Sequence, residues 1–357
     1  MRRLVSTFFA VLLASLANTG LPRGQAPPIR SRVNEVVLPV TVLDAKGAMV
    51  LDLPEGAFHI FDNGEEQKID GFDLGGDPLA IALVIETSSH IRPMAQTIRH
   101  MAIIFTETIM ASEGEAALIT YGSEIDVKQP FTQDHDAINR AIGNLDFDSP
   151  EMRLYDAMAA VVRELQQQPK FRRIMLIIGE SQDHTSKAEL GAILRDVQEA
   201  NIAIYSVGPS STAADLLVPG GNGTTNQVPL PKSLSPAATK APPRNHLGES
   251  YFDVLTPAIW LLSRATNEIK NHQLEVAAAA TGGVHYRTLN SRTMQAALDK
   301  IGGELHAQYI LSYAPNAGRP PGFHQIRVTV DRPKLTVRTR PGYFIEQRPE
   351  TSNAASQ

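Results

Sequence analysis

Two acidic strand ends hold the residues whose types and spacing could do chemistry. The first is Glu86-Thr87-Ser88-Ser89-His90, directly after an unbroken apolar run from Leu79 to Ile85. The second is Gly179-Glu180-Ser181-Gln182-Asp183-His184, directly after Ile174-Met175-Leu176-Ile177-Ile178. Carboxylates, hydroxyls and imidazoles placed this way suit a hard or borderline metal cation, metal-assisted hydrolysis, or a hydrogen-bonding partner. A polar turn that merely ends a core strand would look the same, and only the surrounding elements separate the two.

Those elements read as an α/β fold. The Leu79–Ile85 run contains three β-branched residues and no polar break, which suits a strand buried on both faces of a parallel sheet. In such open sheets, ligands bind just outside the carboxyl ends of the strands. The spacing of Met94, Ile98, Met101, Ile104, Phe105 and Ile109 predicts a helix over 93–110. Strands are expected at 115–120, 124–131, 173–179 and 202–207, and amphipathic helices at 137–145, 154–165 and 187–200. Asp134 and His135 start the first of these helices after Thr132. This alternation implies βαβ crossovers, a mostly parallel sheet and helices on both faces.

The two ends of the chain are β-rich instead. Strands are expected at 36–43, 58–62 and 66–72, with Asp62-Asn63-Gly64 as a hairpin signal. Four more are expected at 308–314, 323–331, 334–338 and 343–345. Neither set alone offers a convincing core, whereas together they reach the roughly seven strands of a sandwich. The expected fold is therefore a doubly wound, mostly parallel sheet inserted in a smaller β-sandwich. The boundaries are 33–74 and 307–346 for the sandwich, 78–306 for the inserted domain, and 347–357 for a disordered tail. Residues 209–248, dense in Pro, Gly, Ser, Thr and Asn, read as a flexible insertion. A largely helical stretch over 251–280, a short strand at 284–287 and a capped helix over 291–306 follow.

Arg2 and Arg3 followed by an apolar stretch from Leu4 to Ala17 form a signal peptide over residues 1–26, with cleavage near Ala17 or Ala26. A retained N-terminal anchor is the alternative. The protein is expected to be exported, whether periplasmic, in the cell envelope or secreted. No later segment is long and apolar enough to span a bilayer. A net charge of -5 offers no footprint for nucleic acid. With no cysteine, disulfides, thiolate catalysis and Cys-ligated zinc are excluded. No Gly-x-Ser-x-Gly elbow and no phosphate-cradling glycine loop occurs, so hydrolase and nucleotide chemistry have no motif behind them.

The strand ending Glu86-x-Ser88-x-His90, the later Leu154-Tyr155-Asp156-Ala157 and the second acidic strand end at Glu180 resemble a von Willebrand factor type A domain. The chain as a whole resembles the bacterial "VWFA-related domain" family. That resemblance is carried by Leu38-Pro-Val-Thr-Val-Leu-Asp, Phe58-x-x-Phe-Asp-Asn-Gly, Thr281-Gly-Gly, Leu311-Ser-Tyr-Ala-Pro and Thr339-Arg-Pro-Gly-Tyr-Phe. It implies a metal-ion-dependent adhesion site, written Asp-x-Ser-x-Ser with a distant Thr and a distant Asp. Short oxygen-bearing side chains there hold a hard cation and leave a position for an acidic group of the partner.

This chain departs from that pattern. Glu86 stands for the first Asp, His90 for the second Ser, Met152 for the Thr, and Glu180 for the distant Asp with Asp183 as a near alternative. Ser88 alone is identical. The expected site is thus a degenerate one: a rim of Glu86, Ser88, His90, Met152, Glu180 and Asp183 that binds a partner with no cofactor. If a metal binds, Glu86, Ser88, His90 and Glu180 are its candidates. A borderline ion on Glu86, His90 and Glu180, with His184 nearby, is the second reading. The expected function is a non-enzymatic protein-binding or adhesion-type module for another protein, matrix or envelope component. A metal-dependent hydrolase using Glu86, His90 and Glu180 is the alternative class.

Overall fold

The computed structural model describes residues 35–75, 78–110, 112–180, 182–183, 185–209, 273–288, 290–315, 319–320 and 322–345. The expected signal peptide at 1–26, the rest of the expected insertion beyond Pro209, the expected helical stretch before Gln273 and the expected tail at 347–357 lie outside the described residues, as do Ser181 and His184.

Four strands open the described chain: β1 (Val36–Leu43), β2 (Phe58–Asp62), β3 (Glu65–Gln67) and β4 (Gly71–Leu74). The central strands are β5 (Leu79–Glu86), β6 (Glu115–Tyr121), β7 (Ile125–Thr132), β8 (Arg172–Ile178), β9 (Ile202–Pro209) and β10 (His285–Thr288). They form one sheet in the order β10-β9-β8-β5-β6-β7. Every neighbouring pair is parallel except β6 with β7, an antiparallel edge.

The helices between them are α1 (Ala95–Ile104), α2 (His135–Gly143), α3 (Leu154–Gln166), α4 (Leu190–Glu199), α5 (Gln273–Thr281) and α6 (Ser291–Ala307). All eight residues of β5 are buried, as a strand covered on both faces requires. Leu79, Ile81, Leu83 and Ile85 pack with Ile98 and Met101 of α1 and Leu298 and Ile301 of α6. Ala80, Ala82 and Val84 pack with Val161 of α3, Leu194 of α4 and Leu274 of α5. The sheet is doubly wound.

Local signals account for several boundaries. The Asp134 carboxylate accepts the Ala137 N–H at 3.0 Å and caps α2. Asn290 and Thr293 form a capping box at the start of α6. The expected single helix over 93–110 is a short 3-10 turn, then α1, then a π-helical segment at Phe105–Met110. Pro209, expected to begin the insertion, instead ends β9 opposite Thr288.

The remaining strands are β11 (Tyr309–Tyr313), β12 (Gly322–Val330), β13 (Thr336–Arg338) and β14 (Gly342–Ile345). With β1–β4 they make two antiparallel sheets, ordered β13-β1-β11-β4 and β14-β12-β2-β3. Leu38, Val40, Phe58, Ile60, Tyr309, Leu311, Ile326 and Val328 meet in one core between them. Each sheet therefore draws strands from both sides of the central one. The β2–β3 hairpin turns on Asn63 (φ 50°) and Gly64 (φ 86°), the two positive dihedrals that a tight Asn-Gly turn needs.

The expected strand at 66–72 is split. Glu65–Gln67 pairs with β2 in one sheet, and Gly71–Leu74 pairs with β11 in the other. The chain crosses between the layers at Lys68-Ile69-Asp70. The residues of one β-like stretch thus serve both sheets, as happens at a sandwich corner.

Candidate functional site

The carboxyl ends of β5, β6 and β8 meet at one rim. Glu86 is the last residue of β5 and shares its face with Ala82 and Val84, so its side chain turns toward the α3 and α4 layer rather than out to solvent. It is fully buried, at 0% exposure. One carboxylate oxygen accepts the Ser88 hydroxyl. The other accepts the Glu180 backbone N–H at 2.6 Å. Burial pushes the Glu86 pKa up, while the Ser88 hydroxyl and the Glu180 N–H pull the other way.

Tyr121 ends β6 on the same face and is also fully buried. Its hydroxyl lies beside the Glu86 carboxylate but makes no hydrogen bond of good geometry among the described residues. Burial raises its pKa well above the usual phenol value, reinforced by the charges of Glu86, Glu180 and Asp183. Gly179 leaves room for both groups. A β-carbon there would lie 2.2 Å from the Tyr121 hydroxyl and 2.8 Å from Glu86 Oε2.

The loops above are laced together through Ser149. Its N–H donates to Thr87 O at 3.1 Å, and its carbonyl accepts the Ser89 N–H at 2.8 Å. Its hydroxyl accepts the Ser123 N–H at 2.7 Å. The segments at 87–90, 122–124 and 148–151 are therefore one hydrogen-bonded surface at the end of the sheet, and Glu180 joins it through its N–H on Glu86. Ser149, Ser123 and Tyr121 were not legible as site residues, because their contacts span long sequence separations and their local context is an ordinary turn or strand.

Of the six candidate rim residues, three are turned inward. Glu86 and Ser88 are buried, and so is Met152, at 1% exposure, whose carbonyl accepts the Thr185 hydroxyl at 3.2 Å. His90 is exposed, with its backbone N–H on the Ser88 hydroxyl at 3.2 Å. Glu180 and Asp183 are half-buried.

Asp183 works as a cap. It accepts the Tyr155 N–H at 3.2 Å and the Ser186 hydroxyl at 2.6 Å, which covers the first turn of α3. In return, Asp156 of α3 accepts the Ala188 N–H at 2.9 Å and that of Lys187 at 3.1 Å, and it pairs with Arg153. Burial opposes the Asp156 charge, but these partners hold its pKa below the usual value. Asp156 is thus a structural staple between α3 and the segment leading to α4.

Residues 81–182 match the family model of the von Willebrand factor type A domain. The chain carries a type A domain. Type A domains are protein-interaction modules, and the mostly parallel sheet with helices on both faces is their architecture. No curated protein sequence matches the chain. Among solved structures, it is similar to an aerotolerance-related membrane protein from Bacteroides fragilis. The identity is 12% and the TM-score 0.40, over 63% of this chain and 99% of that one. It is also similar to BatB from Bacteroides thetaiotaomicron, at 11% identity and TM-score 0.37, over 64% of this chain and 98% of that one. Proximal thread matrix protein 1 from the mussel byssus matches at 13% identity and TM-score 0.34, over 40% of this chain and 38% of that one; its adhesion motif is occupied by zinc.

The candidate rim residues offer a donor set that does not suit a hard cation. Magnesium wants several oxygen ligands near 2.0–2.1 Å in an octahedron. Here the Glu86 oxygens take an O–H and an N–H from the protein, Met152 offers a soft thioether, and Asp183 is engaged by Ser186 and Tyr155. Among the described residues, no group of three or more acids and histidines is arranged to hold an ion. Among them also, no helix is long and apolar enough to cross a membrane.

Proposed function

We propose that the chain is an exported, non-enzymatic binding module of adhesion type, which takes another protein, or a matrix or envelope component, at the carboxyl-end rim of its type A sheet. The observation that carries this is the lacing of four rim segments through Ser149 and Glu86. A surface held this way loses little conformational freedom on binding, which favours recognition. Glu86, the acid that the hydrolase alternative would use, already has both carboxylate oxygens in protein hydrogen bonds. Export rests on the Arg2-Arg3 and Leu4 to Ala17 pattern. The organisation we propose is a sandwich of residues 33–74 and 307–346 with the type A domain at 78–306 between them.

The partner's chemistry follows from the charge of the rim. Asp148 and Glu151 are exposed and Glu180 is half-buried, against the exposed cations Arg92 and Lys187. With the structural acids behind them, the surface favours a basic or hydrogen-bond-donating segment. Full-length protein panned against a displayed library of random peptides is expected to enrich Lys- and Arg-bearing sequences. Reversing Asp148 and Glu151 to lysine is expected to weaken the selected binders about tenfold or more, with a loss that shrinks at high salt. Selected binders unaffected by both the double reversal and salt would contradict the proposal.

A further inference from the structure

We propose that a clamp built from Glu86, Ser88 and the Glu180 backbone replaces the cation of this type A domain, so that the rim binds its partner without a divalent ion. The inference deepens the proposed function and rests on it only for the location of the binding surface. Three observations carry it.

The first is the use of the Glu86 carboxylate. In a metal site, a strand-end acid is neutralised by the ion and points at it. Here the acid is fully buried and its two oxygens are met by the Ser88 hydroxyl and, at 2.6 Å, the Glu180 N–H. The clamp therefore joins the end of β5 to the end of β8, the two strand ends that an ion would otherwise bridge. To seat an octahedral ion, the side chain would have to leave both donors, and the half-buried Glu180 N–H would lose its acceptor.

The second is the fit of side-chain length to the gap. An aspartate at this position would end about 1.5 Å short, one C–C bond. That would stretch the bond to the Glu180 N–H beyond hydrogen-bonding range. The longer acid, which is a poor match for a compact metal site, is the right length for the clamp.

The third is the space around it. Gly179 and the Tyr121 hydroxyl enclose the Glu86 carboxylate, and even a β-carbon at Gly179 would lie 2.2 Å from that hydroxyl and 2.8 Å from Glu86 Oε2. Room for an ion with its own waters would need Tyr121, buried at 0% exposure, to move. The Tyr121 hydroxyl itself lies beside the Glu86 carboxylate.

The test is calorimetric titration of Mg²⁺, Mn²⁺, Zn²⁺ and Ca²⁺ into chelator-treated full-length protein, with melting curves for Glu86→Gln and Glu86→Asp. The expected result is no saturable binding of any of these ions up to about 1 mM, a concentration that fills even weak extracellular cation sites. Glu86→Gln keeps the length and an oxygen for the Glu180 N–H, and is expected to melt within about 2 °C of the parent. Glu86→Asp is expected to melt about 4 °C lower or more. Micromolar binding of an ion that Glu86→Gln abolishes would overturn the clamp, as would a Glu86→Asp protein as stable as the parent. If either variant fails to fold, titration of the parent chain decides. A bound ion would refute the clamp and leave the rim reading standing, because peptide selection tests that reading separately.

Discussion

Replacing Asp62 by alanine is expected to lower the unfolding free energy by about 3–5 kcal/mol, the range for removing one partner of a buried ion pair. Asp62 ends β2 facing the sandwich core and is 1% exposed. Its carboxylate accepts the Tyr313 hydroxyl at 2.6 Å and the Tyr343 hydroxyl at 2.9 Å. It also pairs with Arg319 and faces the His324 ring at 3.1 Å. Alanine would leave a buried guanidinium and two buried hydroxyls without their acceptor. Asp62→Asn keeps the shape and one oxygen, so its loss should be smaller, about 1–3 kcal/mol. Urea unfolding of the three proteins measures both. An alanine variant as stable as the parent would mean that the cluster is solvated rather than buried.

Glu304→Ala is expected to cost a similar amount, about 3–5 kcal/mol, at a different place. Glu304 lies on α6 and accepts the Tyr205 hydroxyl of β9 at 2.7 Å. It also pairs with Arg338 of β13 and accepts the Gln308 side-chain amide at 3.2 Å. Gln308 in turn donates to Thr41 of β1 at 2.9 Å and accepts from Arg172 of β8 at 2.7 Å. Burial works against the Arg338 charge, and the Glu304 carboxylate together with Tyr205 and Tyr286 more than restores it. Removing Glu304 strands that charge where the type A sheet meets the sandwich. Hydrogen exchange should then quicken in β1, β9, β13 and α6 before it does in β5. Loss confined to α6 would show that Glu304 serves its own helix alone.

Elements with a strong period were legible in the sequence. The Leu79–Ile85 run suits a doubly covered strand, which β5 is, and α3, α4 and α6 follow from apolar spacing within a few residues. The Asn63-Gly64 turn and the Asp134 cap are local chemistry, written in adjacent residues.

What the sequence hid was long-range. Glu65 to Leu74 keeps a strand-like composition throughout, so nothing local shows that Gln67 and Phe72 sit in different sheets. Asp62 precedes a turn, where a carboxylate is ordinarily solvated, and its burial depends on Arg319 and Tyr313 far along the chain. At the rim, the departures from the resembled metal motif were visible as residue types. The sequence could not say which way Glu86 points, and strand alternation turns it into the α3 and α4 layer. Asp183 reads as a rim acid in the sequence because helix capping across a long separation leaves no spacing signature.

We propose the rim of the type A sheet as the binding surface. Its most direct test is site-specific photo-crosslinking in cells from the exposed rim residue Ser89, with matched crosslinkers at the exposed sandwich residues Lys46 and Lys334. Ser89 is expected to capture one recurrent partner, Lys46 and Lys334 are not, and reversing Asp148 and Glu151 to lysine is expected to remove the adduct. Capture of the same partner from Lys46 or Lys334 but not from Ser89 would contradict it.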